Sequence, residues 1–234
     1  MLAIFKREFK AYFTSPIGWV FLGVFFVFSG LFFYISVLLM QSTAVETVIS
    51  SMMTIVMFLI PIITMRLFSE DKRQKTDQAL LTAPINLLPM VMGKLLAAFC
   101  VYSIAFSLTF VYAIVISGYG EVSWSLYFSN LLGILLFGVA MIAIGGFVSS
   151  LTENQVVSAI GSFAIMLILS FVDSLASLVP YEWLQKVIMG VSVYNRYTDF
   201  AMGQLDYSDA VFFLSVAAIF IFLTVRVFEK KRWA

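Results

Sequence analysis

Apolar residues in this chain come in long uninterrupted blocks rather than in a strand-like alternation. Six blocks, at approximately 17–40, 48–67, 92–117, 126–150, 154–178 and 209–228, are nearly free of acids and bases. A bilayer core about 30 Å thick needs about 20 apolar residues in helical form, and each block meets that length. The pattern predicts an all-α integral membrane fold with six transmembrane helices. A different pattern precedes the first block. Wound as a helix, residues 1–15 place Leu2, Phe5, Phe9, Tyr12 and Phe13 on one face, with Arg7 and Lys10 away from it and Lys6 at its edge. That predicts an interfacial connecting helix whose basic residues meet lipid headgroups. Ser15 and Pro16 then provide an N-cap and a proline at the first helical position of the first span. Pro61 interrupts the second block, a kink that neighbours can accommodate. Thr152 and Gln155 have capping-box spacing at the start of the fifth.

Composition sharpens the class. The chain of 234 residues is 62% hydrophobic and 12% charged, against about 25% charged in soluble domains. The first block is too long for a signal-peptide core and lacks a cleavage site, so it is expected to remain as a span. Charge placement orients the bundle. In a six-span arrangement, twelve of the fourteen Lys and Arg residues fall on one side, and only Lys186 and Arg196 on the other. The positive-inside rule then expects both termini and the 68–91 loop in the cytoplasm. Glu46, Glu121, Glu182, Asp199, Asp206 and Asp209 gather on the opposite side. The polar segments are short, so 1–234 is expected to be a single transmembrane domain.

Candidate chemistry is sparse. A lone cysteine, Cys100, allows no intramolecular disulfide. The absence of histidine removes the commonest general base and metal ligand and excludes a Ser–His protease. "GKL" at 93–95 lacks the upstream glycine and the Ser/Thr of a phosphate-binding loop. The chain is therefore expected to bind no cofactor or metal, to have no nucleic-acid partner, and not to be an enzyme in its own right. Asp173 is an acid within the fifth block, and intramembrane acids point to function by default. Its place near the block's end makes a solvated helix terminus the expected reading. In the fourth block, Gly133, Gly138, Gly145 and Gly146 predict close helix packing.

The longest polar stretch is "RLFSEDKRQKTDQALLTAPI", residues 66–85. Ser69 with Glu70 and Asp71 reads as a helix start, the acids being favoured by the helix dipole. Asp71 and Lys75 have i,i+4 spacing. Leu80 and Leu81 add an apolar patch, and Pro84 and Pro89 end the helix. A solvated loop and a docking element are both compatible with such a run. Its extent favours docking, because a plain connector needs only a few residues.

Here the chain resembles a known family. "SEDKRQKTDQALLTAPI" is similar to the cytoplasmic coupling region of ABC type-2 transporter permeases, which carries charges after the second span, a threonine, a leucine pair and a "TxP". "FKREFKAYFTSPIG", residues 5–18, resembles that family's connecting helix and entry into span one. The shared "F…SPIG" and "ITMRLF…E" are closest to the gliding-motility-type permease subunit. The family commonly has glycine before the threonine, where this chain has Lys75. The resemblance implies a permease subunit that pairs with a second permease subunit, as homodimer or heterodimer, in the cytoplasmic (inner) membrane. Each would rest on a separate cytoplasmic ABC ATPase subunit that holds the ATP and Mg. The 69–83 helix would dock in that ATPase through Ser69, Glu70, Asp71, Lys72, Arg73, Lys75, Thr76, Asp77, Leu80 and Leu81, and pass its closure to the spans.

On the opposite side, residues 180–208 are rich in aromatics: Tyr181, Trp183, Tyr194, Tyr197, Phe200 and Tyr207. One reading is an interfacial aromatic belt in contact with membrane lipid. The other, implied by the resemblance, is a pair of short re-entrant helices that gate the exit, with Tyr181, Trp183, Tyr194, Arg196 and Tyr197 as the outer gate. The expected function is the permease subunit of an ABC exporter. The rivals are a membrane scaffold or receptor that carries no substrate and, more weakly, a secondary transporter.

Overall fold

The computed structural model describes residues 1–76, 86–178, 181, 183, 185, 189, 190 and 192–233. Among the described residues there are helices and no strand. Helix α1 (Leu2–Thr14) is followed by a turn at Ser15, which has extended backbone, and by α2 (Pro16–Phe33) with Pro16 in its first turn. Gly18 makes this corner possible, because a Cβ there would lie 2.4 Å from the Tyr12 carbonyl oxygen. The last turns of the first span, Tyr34–Leu39, are π-helical. Helix α3 (Glu46–Thr64) runs through Pro61 without ending. A four-residue turn leads to the short α4 (Ser69–Arg73). The third span is α5 (Leu87–Ser107) and α6 (Thr109–Ser117), bent at Leu108. The remaining helices are α7 (Trp124–Leu151), α8 (Gln155–Leu178), α9 (Val193–Ala201) and α10 (Tyr207–Trp233).

Six helical stretches are long and apolar enough to cross a membrane: Pro16–Leu39, Glu46–Arg73, Leu87–Ser117, Trp124–Leu151, Gln155–Asp173 and Tyr207–Arg232. They coincide with the six blocks read from the sequence. One local expectation changes. The cap of α8 is Asn154, whose Oδ1 accepts from the Val156 amide at 2.9 Å. Thr152 instead accepts from the Asn154 amide, because the chain is still extended at Thr152. In α1, Leu2 is exposed. The helix is rolled so that Ile4 meets α5, where a Cβ on Gly93 would lie 3.1 Å from the Met1 carbonyl oxygen and 3.4 Å from the Ile4 side chain.

Lipid offers no hydrophobic drive for helices to associate, so shape and polar contacts decide their packing. Helix α7 is the hub, touching α3, α4, α5, α8, α9 and α10. Its glycines explain why. A Cβ at Gly138 would meet the Tyr102 ring of α5 at 2.2 Å, and one at Gly145 would meet Thr64 Oγ1 of α3 at 2.4 Å. Tyr102 then donates to the Ile134 carbonyl at 2.7 Å. These are close-packing glycines, as the sequence pattern predicted. Helices α2, α8 and α10 lie at the periphery and expose apolar side chains such as Val27, Leu31, Ile160, Ile168, Leu214 and Phe222.

Candidate functional site

The basic-rich end of the bundle holds a compact charged junction built from three elements. Its centre is Lys94, in the second turn and beyond of α5, whose side chain is 1% exposed. An ammonium in such a place requires partners, because desolvating it alone is costly. Lys94 Nζ lies 3.0 Å from Glu8 Oε1 of α1 and 2.8 Å from Asp71 Oδ2 of α4. The Phe68 ring is 5.8 Å from the same nitrogen. Glu8 is also held by Arg7 at 2.7 Å. Burial works against the charged form of Glu8, but the neighbouring Lys94 and the hydrogen bond from Arg7 outweigh it and hold its carboxyl below the usual value.

A second ion pair flanks the first. Arg66 Nε is 2.8 Å from Glu70 Oε2, and Arg66 Nη1 donates to Ser15 Oγ at 2.5 Å. The guanidinium lies over the Tyr12 ring, and the Tyr12 hydroxyl donates to the Ile63 carbonyl at 2.7 Å. Burial pushes the Tyr12 phenol well up from its ordinary value. Between these groups is a polar cavity of about 250 Å³, bounded by Arg7, Glu8, Arg66, Asp71 and Lys94 among others.

Helix α4 is fixed to the hub by one hydroxyl. Ser149 Oγ accepts from the Phe68 and Ser69 amides, each at 3.1 Å, and donates to the Met65 carbonyl at 3.1 Å. The first amides of a helix have no partner within it, so Ser149 caps α4 from a different helix. Lys72 donates from Nζ to the Ser150 carbonyl. The helix ends after Arg73, and Lys75 adopts a φ of 57°. That is the left-handed region, costly for any residue with a Cβ and relaxed for glycine. It is the position where the resembled family commonly has glycine.

The residues expected to couple therefore divide. Ser69 is buried, and Glu70, Asp71 and Lys72 are engaged with Arg66, Lys94 and Ser150. Asp71 does not depend on Lys75 for a partner: its carboxylate serves Lys94 and accepts from the Thr76 hydroxyl at 3.2 Å. Arg73, Lys75 and Thr76 are exposed. Asp77, Leu80 and Leu81, with the rest of 77–85, lie outside the described residues. Sequence reasoning missed Glu8, Arg66, Ser149 and above all Lys94, which entered only as one of the twelve bases on its side of the bundle. A lysine inside "MGKLLAAF" was the available signal, since a base in an apolar run demands a partner. Glu8, the one acid amid the basic residues of α1, was the other.

The opposite end is tied differently. Asn130 of α7 accepts on Oδ1 from Ser50 of α3 and from the Tyr197 hydroxyl of α9, both at 2.9 Å. Its Nδ2 donates to the Ala201 carbonyl at 3.0 Å. Ser129 donates to the Phe200 carbonyl at 2.7 Å. Arg196 of α9 pairs with Asp209 of α10 at 2.7 Å and lies 4.3 Å over the Phe212 ring. Asp173, expected as a solvated helix terminus, is half-buried and accepts from Asn195 Nδ2 at 3.0 Å. Of the five residues expected at an outer gate, Tyr197 and Arg196 are thus built into the packing of α9. Tyr194 is half-exposed beside an apolar cavity of about 320 Å³ between α3 and α8, lined by Met53, Met57, Phe163 and Phe171 among others. Tyr181 and Trp183 are exposed.

Six apolar helices, the glycine-rich α7 their hub, with charged residues collected at the helix ends, define a multi-pass helical membrane protein. The family model described as ABC-2 family transporter protein matches residues 2–233, and the chain belongs to that family. It is a permease component of an ABC transporter, of the kind that works with an ABC ATPase subunit. No curated protein matches the chain.

Proposed function

We propose that this chain is the permease subunit of an ABC exporter in the cytoplasmic membrane, with the basic-rich end in the cytoplasm. A separate ATPase subunit, carrying ATP and Mg, docks on the solvent-exposed end of α4 from Arg73 onward and on the residues that follow it. Closure of that ATPase moves the spans, and a substrate crosses or leaves the membrane at the end where α9 packs. The observation that carries the reading is a helix rigidly attached to three others yet open to solvent over Arg73–Thr76, in a chain matched by the ABC-2 family over 2–233. The twelve bases on that side support the orientation. The exposed apolar faces of α2 and α8 suit lipid and a second permease subunit. The cavity beside Tyr194 suits an apolar substrate or lipid at the outer gate. "F…SPIG" and "ITMRLF…E" support the gliding-motility-type subgroup, and the short polar segments support a single domain.

The test is co-purification of the tagged full chain from its native membrane. A P-loop ATPase should accompany the wild type and be lost from the Arg73→Glu/Lys75→Glu variant, with both chains folded. These two positions are chosen because Glu70 and Asp71 hold the fold together, so reversing them would report stability. A folded wild-type chain that brings no ATPase would sink the exporter reading and leave a scaffold.

A further inference from the structure

Helix α4 packs on α8 and is joined to three other spans. The chain itself links it to α3. Ser149 links it to α7. Its link to α5 is the Asp71–Lys94 pair, at 2.8 Å. Helices α1 and α5 are packed directly on one another, as the approach of Ile4 and the Met1 carbonyl to Gly93 shows, so whatever moves one carries the other. Glu8 holds Lys94 from the α1 side of that pair, and the Phe68 ring closes the remaining side.

We infer that Lys94 is the positioning residue through which displacement of α4 reaches α5, with Asp71 as the driving contact and Glu8 as a neutralising one. This rests on the proposed docking of an ATPase at α4. The two acids touch the same nitrogen, yet their roles differ by topology. Asp71 belongs to the element that an ATPase would push. Glu8 belongs to the element that already travels with α5. A cation that merely needed charge balance would treat its two partners alike.

The experiment uses the full chain with its co-purified ATPase in lipid nanodiscs. Cys100→Ser removes the native thiol, and Leu88→Cys, exposed at the start of α5, carries a spin label. The spectrum is compared without nucleotide and after vanadate trapping with ATP. Glu8→Gln and Asp71→Asn are each added singly, so Lys94 keeps one charged partner and the fold survives in both. The expected result is a nucleotide-dependent spectral change in the parent chain, retained with Glu8→Gln and reduced more than twofold with Asp71→Asn, while ATPase binding is equal in all three. Equal responses in the two variants overturn the proposal. So does loss of ATPase binding with Asp71→Asn, which would make Asp71 a docking residue. A parent chain that brings no ATPase overturns the docking reading as well, and that failure is visible before any variant is compared.

Discussion

At the basic-rich end, α1, α4 and α5 meet through long charged side chains centred on Lys94. At the opposite end, α3, α7 and α9 meet through neutral ones centred on Asn130. Both centres are buried. The difference lies in what each can do. Hydrogen bonds between short side chains and backbone carbonyls hold only one geometry and fail abruptly when stretched. Lysine and carboxylate side chains reach several ångströms from the backbone, and their attraction falls off gradually with distance. A charged joint can therefore transmit movement between helices, while an amide knot keeps a cap in register. The charged joint lies beside the segment with the ABC-2 coupling pattern, and the amide knot fastens α9 over the far ends of the spans.

The sharpest way to break this contrast is Lys94→Met. It leaves the half-buried Glu8 and Asp71 without their shared cation and should cost up to about 3 kcal/mol, read as loss of thermal and denaturant stability in nanodiscs. A neutral outcome would mean that the charges are solvated and that the junction is ordinary surface. Asn130→Leu should come next, at about 2–3 kcal/mol, because the Tyr197 hydroxyl, Ser50 and the Ala201 carbonyl all lose a buried partner. Unlike the lysine variant, it should loosen α9 selectively, detectable as faster hydrogen exchange at 193–201.

Acid should separate the two ends by sign. Glu8 has a folded-state value below its ordinary one. Its stabilisation is complete above the ordinary glutamate value of about 4.3 and is lost as pH falls through its own lower value. Asp199 in α9 is raised, by burial first and then by the charge of Asp209. Its contribution is present below the ordinary aspartate value of about 3.9 and is lost as pH rises through its own higher value. Melting curves between neutral and acid pH should show Glu8→Gln flattening the acid decline and Asp199→Asn modestly raising stability at neutral pH. The same sign in both variants would erase the distinction. The smallest effect is expected from Lys75→Gly. It relieves a left-handed residue and should gain up to about 1 kcal/mol, seen as slower exchange at 73–76.

Much of the fold was legible because a bilayer imposes length and polarity on every span. The six blocks, the N-terminal helix, the Ser15–Pro16 corner and the packing role of Gly138 and Gly145 could all be read from the sequence. The polar segment after the second span was legible as a place, through its charge pattern, but not as a geometry. Asp71 was paired with Lys75 because i,i+4 spacing is the only partner search a single helix allows. The helix stops at Arg73, and Asp71 instead meets a lysine 23 positions on. Thr152 was preferred as a cap for the same reason: spacing was visible, and the extended backbone that handed the role to Asn154 was not.

The sequence by itself determined that this is a six-span helical membrane protein, how its charges divide between the two ends of the bundle, and where its longest polar segment lies. Those are local properties, written in runs of adjacent residues and enforced by the bilayer. Only the tertiary structure decided that Lys94 is a buried centre, that Ser149 caps a helix 80 residues away, and that Asn130 fastens α9. Each of those depends on which helices become neighbours, and in lipid that choice is made by shape fit and by the pairing of buried polar groups, neither of which has a period along the chain.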